Sequence, residues 1–360
     1  MSAGVSGELG ASLAAPDLLA ARGTVREAGA FVTGACFSRD GRQVAFATGE
    51  GAVHVASADA TGWREVAAHD GSVLALATDV TPGGFLSGGD DNRLCRIAAD
   101  GTLAELGRGR RWVEHVASVV DGKSGWIASS AGKTVELRDA AGTLVRGYEH
   151  PSSVGGIAFD ARGKRIAVSH YGGASLRFVN ARADSPRLLG WKGSHLAVAI
   201  HPAGEAVVTA MQENELHGWR LADGHNMRMS GYPQKTHSLS FSRSGRWLAS
   251  SGADSVVLWP FFGGGPMGRA PTELAQRPGV ICRRVLFHPQ QELVAAGFAD
   301  GTVVLADVST SRVLPVRVAH GADETETITA LDFSPDGRLL AFGNQLGMMA
   351  IVDLSPSKEI

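Results

Sequence analysis

The side chains best suited to chemistry in this 360-residue chain recur at one kind of place. Trp112-Val113-Glu114-His115, His195, Lys235-Thr236-His237 and Arg283-Arg284 each fall three to six residues ahead of a repeating anchor position. Other copies carry small or apolar residues there, as in Val32-Thr33-Gly34, Val73-Leu74-Ala75, Val154-Gly155-Gly156 and Ile328-Thr329-Ala330. Arg108, Arg110 and Arg111 precede the first group, and Trp191 and Lys192 precede His195. Arginine and tryptophan on loops supply directional donors and contact area, the properties of protein-interface anchors. Glu114, His115, His195 and His237 are also competent ligands for a borderline cation. No His-x-x-x-His or Cys-x-x-Cys spacing enforces their convergence, so neither metal nor cofactor is expected. The ordinary role of such histidines is hydrogen bonding.

Catalytic signatures are missing. The chain has no phosphate-binding Gly-x-x-x-x-Gly-Lys-Ser/Thr loop, no His-Glu-x-x-His and no Gly-x-Ser-x-Gly elbow. Gly122-Lys123-Ser124 and Gly132-Lys133-Thr134 lack the preceding glycine and read as β-turns. A formal charge of -2 offers no basic field for nucleic acid or an anionic membrane. Basic loops around Arg111 face an acidic one with Asp323, Glu324 and Glu326, a division that suits a protein or peptide of mixed charge. The sequence therefore points to a protein contact set of Arg111, Trp112, Glu114, His115, Trp191, Lys192, Lys235, His237, Arg283 and Arg284.

Those residues need a frame, and the chain supplies it by repetition. Phe37-Ser38-Arg39-Asp40-Gly41, Phe159-Asp160-Ala161-Arg162-Gly163, Phe241-Ser242-Arg243-Ser244-Gly245 and Phe333-Ser334-Pro335-Asp336-Gly337 are its clearest copies. With degenerate copies at Thr78, Ser118, Ile200 and Phe287, the anchors are spaced by 41, 40, 41, 41, 41, 46 and 46 residues. A period near forty carried by alternating runs and turn residues means four-stranded meanders, each needing neighbours to cover its faces. The expected fold is all-β, a single closed β-propeller, most simply eight-bladed, with seven blades and one irregular extra unit as the alternative. Very little helix is expected, since no segment between residues 24 and 354 holds a 3.6-residue apolar period.

The units resemble WD40 repeats over about residues 24–354, most clearly in Phe333-Ser334-Pro335-Asp336-Gly337-Arg338-Leu339-Leu340-Ala341 and in Trp247-Leu248-Ala249-Ser250-Ser251-Gly252-Ala253-Asp254 leading to Leu258-Trp259. His69, His150 and His320 match the family's histidine, and Asp91, Asp254 and Asp300 match its turn aspartate. Only Trp219 and Trp259 keep its third-strand tryptophan, so no unit holds the whole His, Ser, Asp and Trp network. The resemblance implies a non-catalytic scaffold or adaptor that binds its partner on the channel-mouth face. A second reading is a metal- or small-molecule-binding accessory protein, even a channel enzyme, that uses His115, His237 and Glu114.

The chain divides into a flexible segment 1–23, the propeller 24–354 and a tail 355–360, with Thr24 to Ala28 expected to complete the last unit and close the ring. Residues 1–23 read as neither signal peptide nor membrane span. Cys36, Cys95 and Cys282 sit in strand-like runs without metal or disulfide spacing, as reduced core thiols of a cytoplasmic protein that is monomeric on its own. Trp126 and Trp247 occupy matching places and read as blade packing, and Phe261-Phe262 are expected to tuck beneath their blade.

Overall fold

The computed structural model describes residues 17–122, 124–181, 185–319 and 324–356. His320, Asp323, Lys123 and most of the first segment lie outside the described residues. Each repeat becomes a strand, a tight turn and a returning strand. In the last unit, Ile328–Phe333 leads into a turn in which Ser334 Oγ donates to Asp336 Oδ1 at 2.6 Å. That hydroxyl also accepts the Leu339 amide at 2.9 Å. Gly337 closes the turn at φ 75°, a left-handed conformation that other residues adopt with strain. The first unit repeats this, with Ser38 Oγ on Asp40 at 2.7 Å and Gly41 at φ 70°. The Ser-x-Asp-Gly pattern is thus a local hydrogen-bonded device that turns the chain.

The all-β propeller is present. Its strands form seven hydrogen-bonded sheets among the described residues, rather than eight separate ones. Six have four strands; the other has six, because Arg165–Phe178 and Arg187–Ile200 are each fourteen residues long. Arg165–Phe178 pairs with Val154–Phe159 through Ile166 to His170 and with Arg187–Ile200 through Tyr171 to Leu176. Arg187–Ile200 pairs onward with Ala206–Met211 through His195 to Ile200. Neither long strand contains Asp, Asn or Pro to interrupt its ladder. Gly172 and Gly173, at φ 86° and 138°, let the first one bend without ending. A core of Ala167, Leu176, Leu189, Val207 and Trp219 lies between the two halves of this long sheet.

The ring closes as expected. Gly23–Glu27 pairs antiparallel with Met348–Asp353, in register from Gly23 opposite Val352 to Glu27 opposite Met348. The outer edge of the last unit is therefore paired by the start of the chain, which removes an open edge. Residues 18–22 of the segment expected to be flexible form a one-turn helix capped by Asp17. Asp17 also accepts the Val318 amide at 2.9 Å, and Leu18 and Leu19 pack on the core between the last two units.

Apolar clusters lie between neighbouring units, as the meander argument requires. Val53, Val55, Val73, Phe85 and Ile97, for example, join the first unit to the second. Trp126 and Trp247 pack against such clusters. Phe261 is tucked, with its ring 5.0 Å from that of Phe241, while Phe262 lies edge-on to Trp247 at 5.2 Å. Histidines tie turns across units, His201 Nε2 reaching the Gly245 carbonyl at 2.9 Å and His288 Nε2 that of Gly337 at 3.1 Å. All three cysteines are buried and unpaired, and burial raises the Cys95 thiol to about 11 and the Cys282 thiol to about 12.

Candidate functional site

Antiparallel order places the loops entering each first strand on the same face as the turns between second and third strands. The conspicuous residues of the sequence lie on that face. First strands carry a recurrent bulge near their entry, at Val32/Gly34, Val73/Ala75, Val113/His115, Val154/Gly156, His195/Ala197, Cys282/Arg284 and Ile328/Ala330. A bulge leaves one residue unpaired and re-aims its side chain. The unpaired residues include Glu114 and Arg283, so the fold itself presents two of the expected contact residues.

The expected set separates into two groups. Arg111, Trp112 and Glu114 line a cleft of about 1110 Å³ between the second and third units, together with Arg108, Arg110 and Lys133. Trp112 is 57% exposed at its edge. Arg108 is held by Glu105 at 2.9 Å and Lys133 by Glu149 at 2.9 Å. Arg110 and Arg111 have no ion-pair partner among the described residues. Thr134, Ser152 and Ser153 add hydroxyls to the cleft. His237, Arg283 and Arg284 line a separate pocket of about 380 Å³ with Thr327, Thr329 and Gln345.

The remaining residues are placed differently. Lys192 is exposed and Lys235 half-buried. His115 is half-buried beside the backbone of Val154, and burial lowers its pKa. Trp191 is not the exposed anchor expected: its ring stacks on His217 at 3.9 Å and joins the core within the long sheet. Its carbonyl lies 3.0 Å from His195 Nε2, whose other nitrogen meets Thr209 Oγ1 at 2.7 Å. Glu114 lines the cleft and His237 the other pocket, so the residues of the second reading do not share one site. Among the described residues no three His, Cys, Asp or Glu side chains group as a metal cage.

Structural hydrogen bonds account for other polar residues. His69 Nδ1 meets Asp91 at 2.9 Å and its Nε2 meets Ser87 Oγ at 2.8 Å, so the second unit holds three members of the network. Burial raises the Asp91 pKa, but hydrogen bonds from His69 and from the Asp70 and Arg93 amides outweigh it and hold the carboxyl at about 2. The sixth unit builds a comparable chain from Tyr232, whose hydroxyl meets Ser250 Oγ at 2.6 Å and accepts Trp259 Nε1 at 2.6 Å. The sequence reading missed Tyr232, although it precedes Ser250 by the same 18 residues that separate His69 from Ser87. Gln345, Ser152 and Ser153 were missed because nothing in their own stretches marks them.

Comparison with known proteins agrees with this architecture. Residues 284–360 match the Anaphase-promoting complex subunit 4 WD40 domain, and residues 226–259 match the WD domain, G-beta repeat. The chain is 35% identical to a Guanine nucleotide-binding protein subunit beta-like protein of Encephalitozoon cuniculi (strain GB-M1), over 26% of this chain and 32% of that one. Centriole proteome protein 16 of Chlamydomonas reinhardtii is 27% identical over 45% of this chain and 8% of its own. WD repeat-containing protein 90 of Xenopus tropicalis is 25% identical over 47% of this chain and 9% of its own. The chain spans only these minor fractions of the curated relatives it matches. In fold it is similar to the computationally designed Ika8 protein, with a TM-score of 0.73, 18% identity and coverage of 91% of this chain and 98% of that one. These matches support placing the chain with the WD40-repeat β-propellers.

Proposed function

We propose that this propeller is a non-catalytic platform that holds a protein or peptide partner in the cleft between its second and third units. WD40 propellers generally serve as scaffolds for protein interactions. The observation that carries the reading is the cleft of about 1110 Å³, with Trp112 exposed at its edge beside the unpaired Arg110 and Arg111. An aromatic next to guanidinium groups on a fixed frame supplies contact area and directional donors with little ordering cost. Glu114 and Glu136 in the same cleft favour a segment of mixed charge over a nucleic-acid backbone.

The reading includes an eightfold ring, in which the long sheet counts as two blades. Its support is the pairing of that sheet in two halves with a core between them. Eight first strands also pack in order around the channel, from Val32–Phe37 through Val73–Thr78 and onward to Ile328–Phe333, which returns to Val32–Phe37.

The double substitution Arg111→Ala, Trp112→Ala should abolish capture of the partner that wild type retains from native extract, with the melting curve unchanged. Capture that survives it, but is lost on substitution of the exposed outer-strand residues Leu144 and Val145, would place the binding face elsewhere.

A further inference from the structure

The second pocket has an electrostatic property that the partner-binding reading does not use. Its walls bring together Arg283, Arg284 and His237, and Lys235 lies two residues from His237. No carboxylate pairs with any of the four among the described residues; the charges around His237 are Arg284, Arg283 and Lys235, all cationic. Several other partly buried guanidinium groups sit on carboxylates, Arg93 on Asp91 at 2.8 Å, Arg165 on Asp160 at 2.9 Å and Arg277 on Asp300 at 2.5 Å. Arg284 instead spends its Nε on the Thr329 carbonyl at 2.6 Å, and burial lowers its pKa with no acid opposing the shift. Arg283 donates to the neutral Gln234 Oε1 at 3.0 Å.

Taking cations out of water without a counter-charge is unfavourable, and concentrating several in a recess makes that recess an anion site. Backbone geometry fixes the arrangement. Arg283 is the unpaired residue of its bulge, and Arg284 follows it on the strand Cys282–Phe287, anchored across the channel mouth to the neighbouring strand Ile328–Phe333. The terminal nitrogens of the two guanidinium groups are the kind of planar donors that grip a tetrahedral oxyanion. At about 380 Å³ the pocket holds a small group rather than a folded surface.

We propose that this pocket binds a phosphate monoester, with Arg283 and Arg284 as its principal donors and His237 and Lys235 adding positive charge. The site is separate from the cleft lined by Arg111 and Trp112, so failure of either reading leaves the other standing. The phosphoryl group can be brought by a free small molecule or by a phosphorylated side chain, and the two sources share the same chemistry.

The full chain is titrated calorimetrically with inorganic phosphate, and with a phosphoserine pentapeptide and its unphosphorylated counterpart, at an ionic strength fixed with sodium chloride. Saturable binding of phosphate is expected, weakened about tenfold or more by Arg284→Gln. Arg283→Gln combined with His237→Gln, at more exposed positions, should show the same loss and covers the case in which the Arg284 variant does not fold. Arg110→Gln with Arg111→Gln should leave phosphate affinity unchanged. A phosphopeptide that binds more tightly than inorganic phosphate supports the site with a peptide source, and equal affinity supports it with a small-molecule source. Absence of saturable binding to either phosphate probe overturns the proposal, as does an equal loss in the Arg110, Arg111 variant.

Discussion

Replacing Asp91 by Asn tests whether the hydrogen-bond chain of the second unit stabilises the ring. The carboxylate accepts from His69 Nδ1 at 2.9 Å, from the Asp70 and Arg93 amides at 3.1 Å each, and from Arg93 Nε at 2.8 Å. Its side chain is 8% exposed, so solvent screens these contacts little. A fall from 3.8 to about 2 on folding means that the structure favours the ionised form. At 1.36 kcal/mol per unit this amounts to roughly 2 kcal/mol. The folded value lies below the unfolded one, so this stabilisation is complete above the unfolded pKa and is lost as pH falls from about 4 through about 2. Asp91→Asn keeps one acceptor oxygen, removes the charge and turns an amide group towards donors. Urea unfolding at pH 7 should show a loss of about 2 kcal/mol, taken from the midpoint shift at constant slope. The same comparison near pH 2.5 should show a smaller deficit. A variant as stable as wild type at pH 7, or a deficit unchanged between the two pH values, would refute the reasoning.

Three further outcomes follow from the geometry. The Ala28 amide donates to the Gly347 carbonyl at 2.8 Å, and the same register aims the Thr24 amide at Ile351. Thr24→Pro therefore removes a ladder donor at the closure and should destabilise the whole ring by about 1–3 kcal/mol, seen as one cooperative melting transition at lower temperature. A local loss that leaves the main transition in place would count against closure by this strand. Burial raises the Asp332 carboxyl to about 7, despite the Phe37 amide that it accepts at 2.7 Å. A raised folded pKa means stability is lost as pH climbs from about 4 to about 7, so Asp332→Asn should flatten that dependence and melt above wild type at pH 8. An unchanged pH profile in the variant would contradict the assignment. Arg111→Ala with Trp112→Ala should lose its partner in pull-down assays while calorimetric melting stays in place, and a lowered melting point would make the two residues structural instead.

The local sequence determined the repeat, the turns and the closing strand. These depend on residues a few positions apart: Ser38, Asp40 and Gly41 build their turn within four residues, and alternation tells each strand which face to bury. The entry positions of the first strands were legible for a related reason, because Glu114, His115, Arg283 and Arg284 interrupt an otherwise small or apolar register. Tertiary structure decided what no short stretch encodes. The Trp191 indole met His217, 26 positions along the chain, and became part of the packing rather than a free anchor. Two repeats merged into one hydrogen-bonded sheet because the long strands found continuous partners, a result that depends on pairing as well as on their missing turn residues. The division of the basic residues between a cleft and a pocket also belongs to the ring. A charge acquires its counter-ion, or goes without one, only when distant loops are brought within a few ångströms, and the spacing of Arg283 and Arg284 in the chain carries no information about which carboxylates stay away.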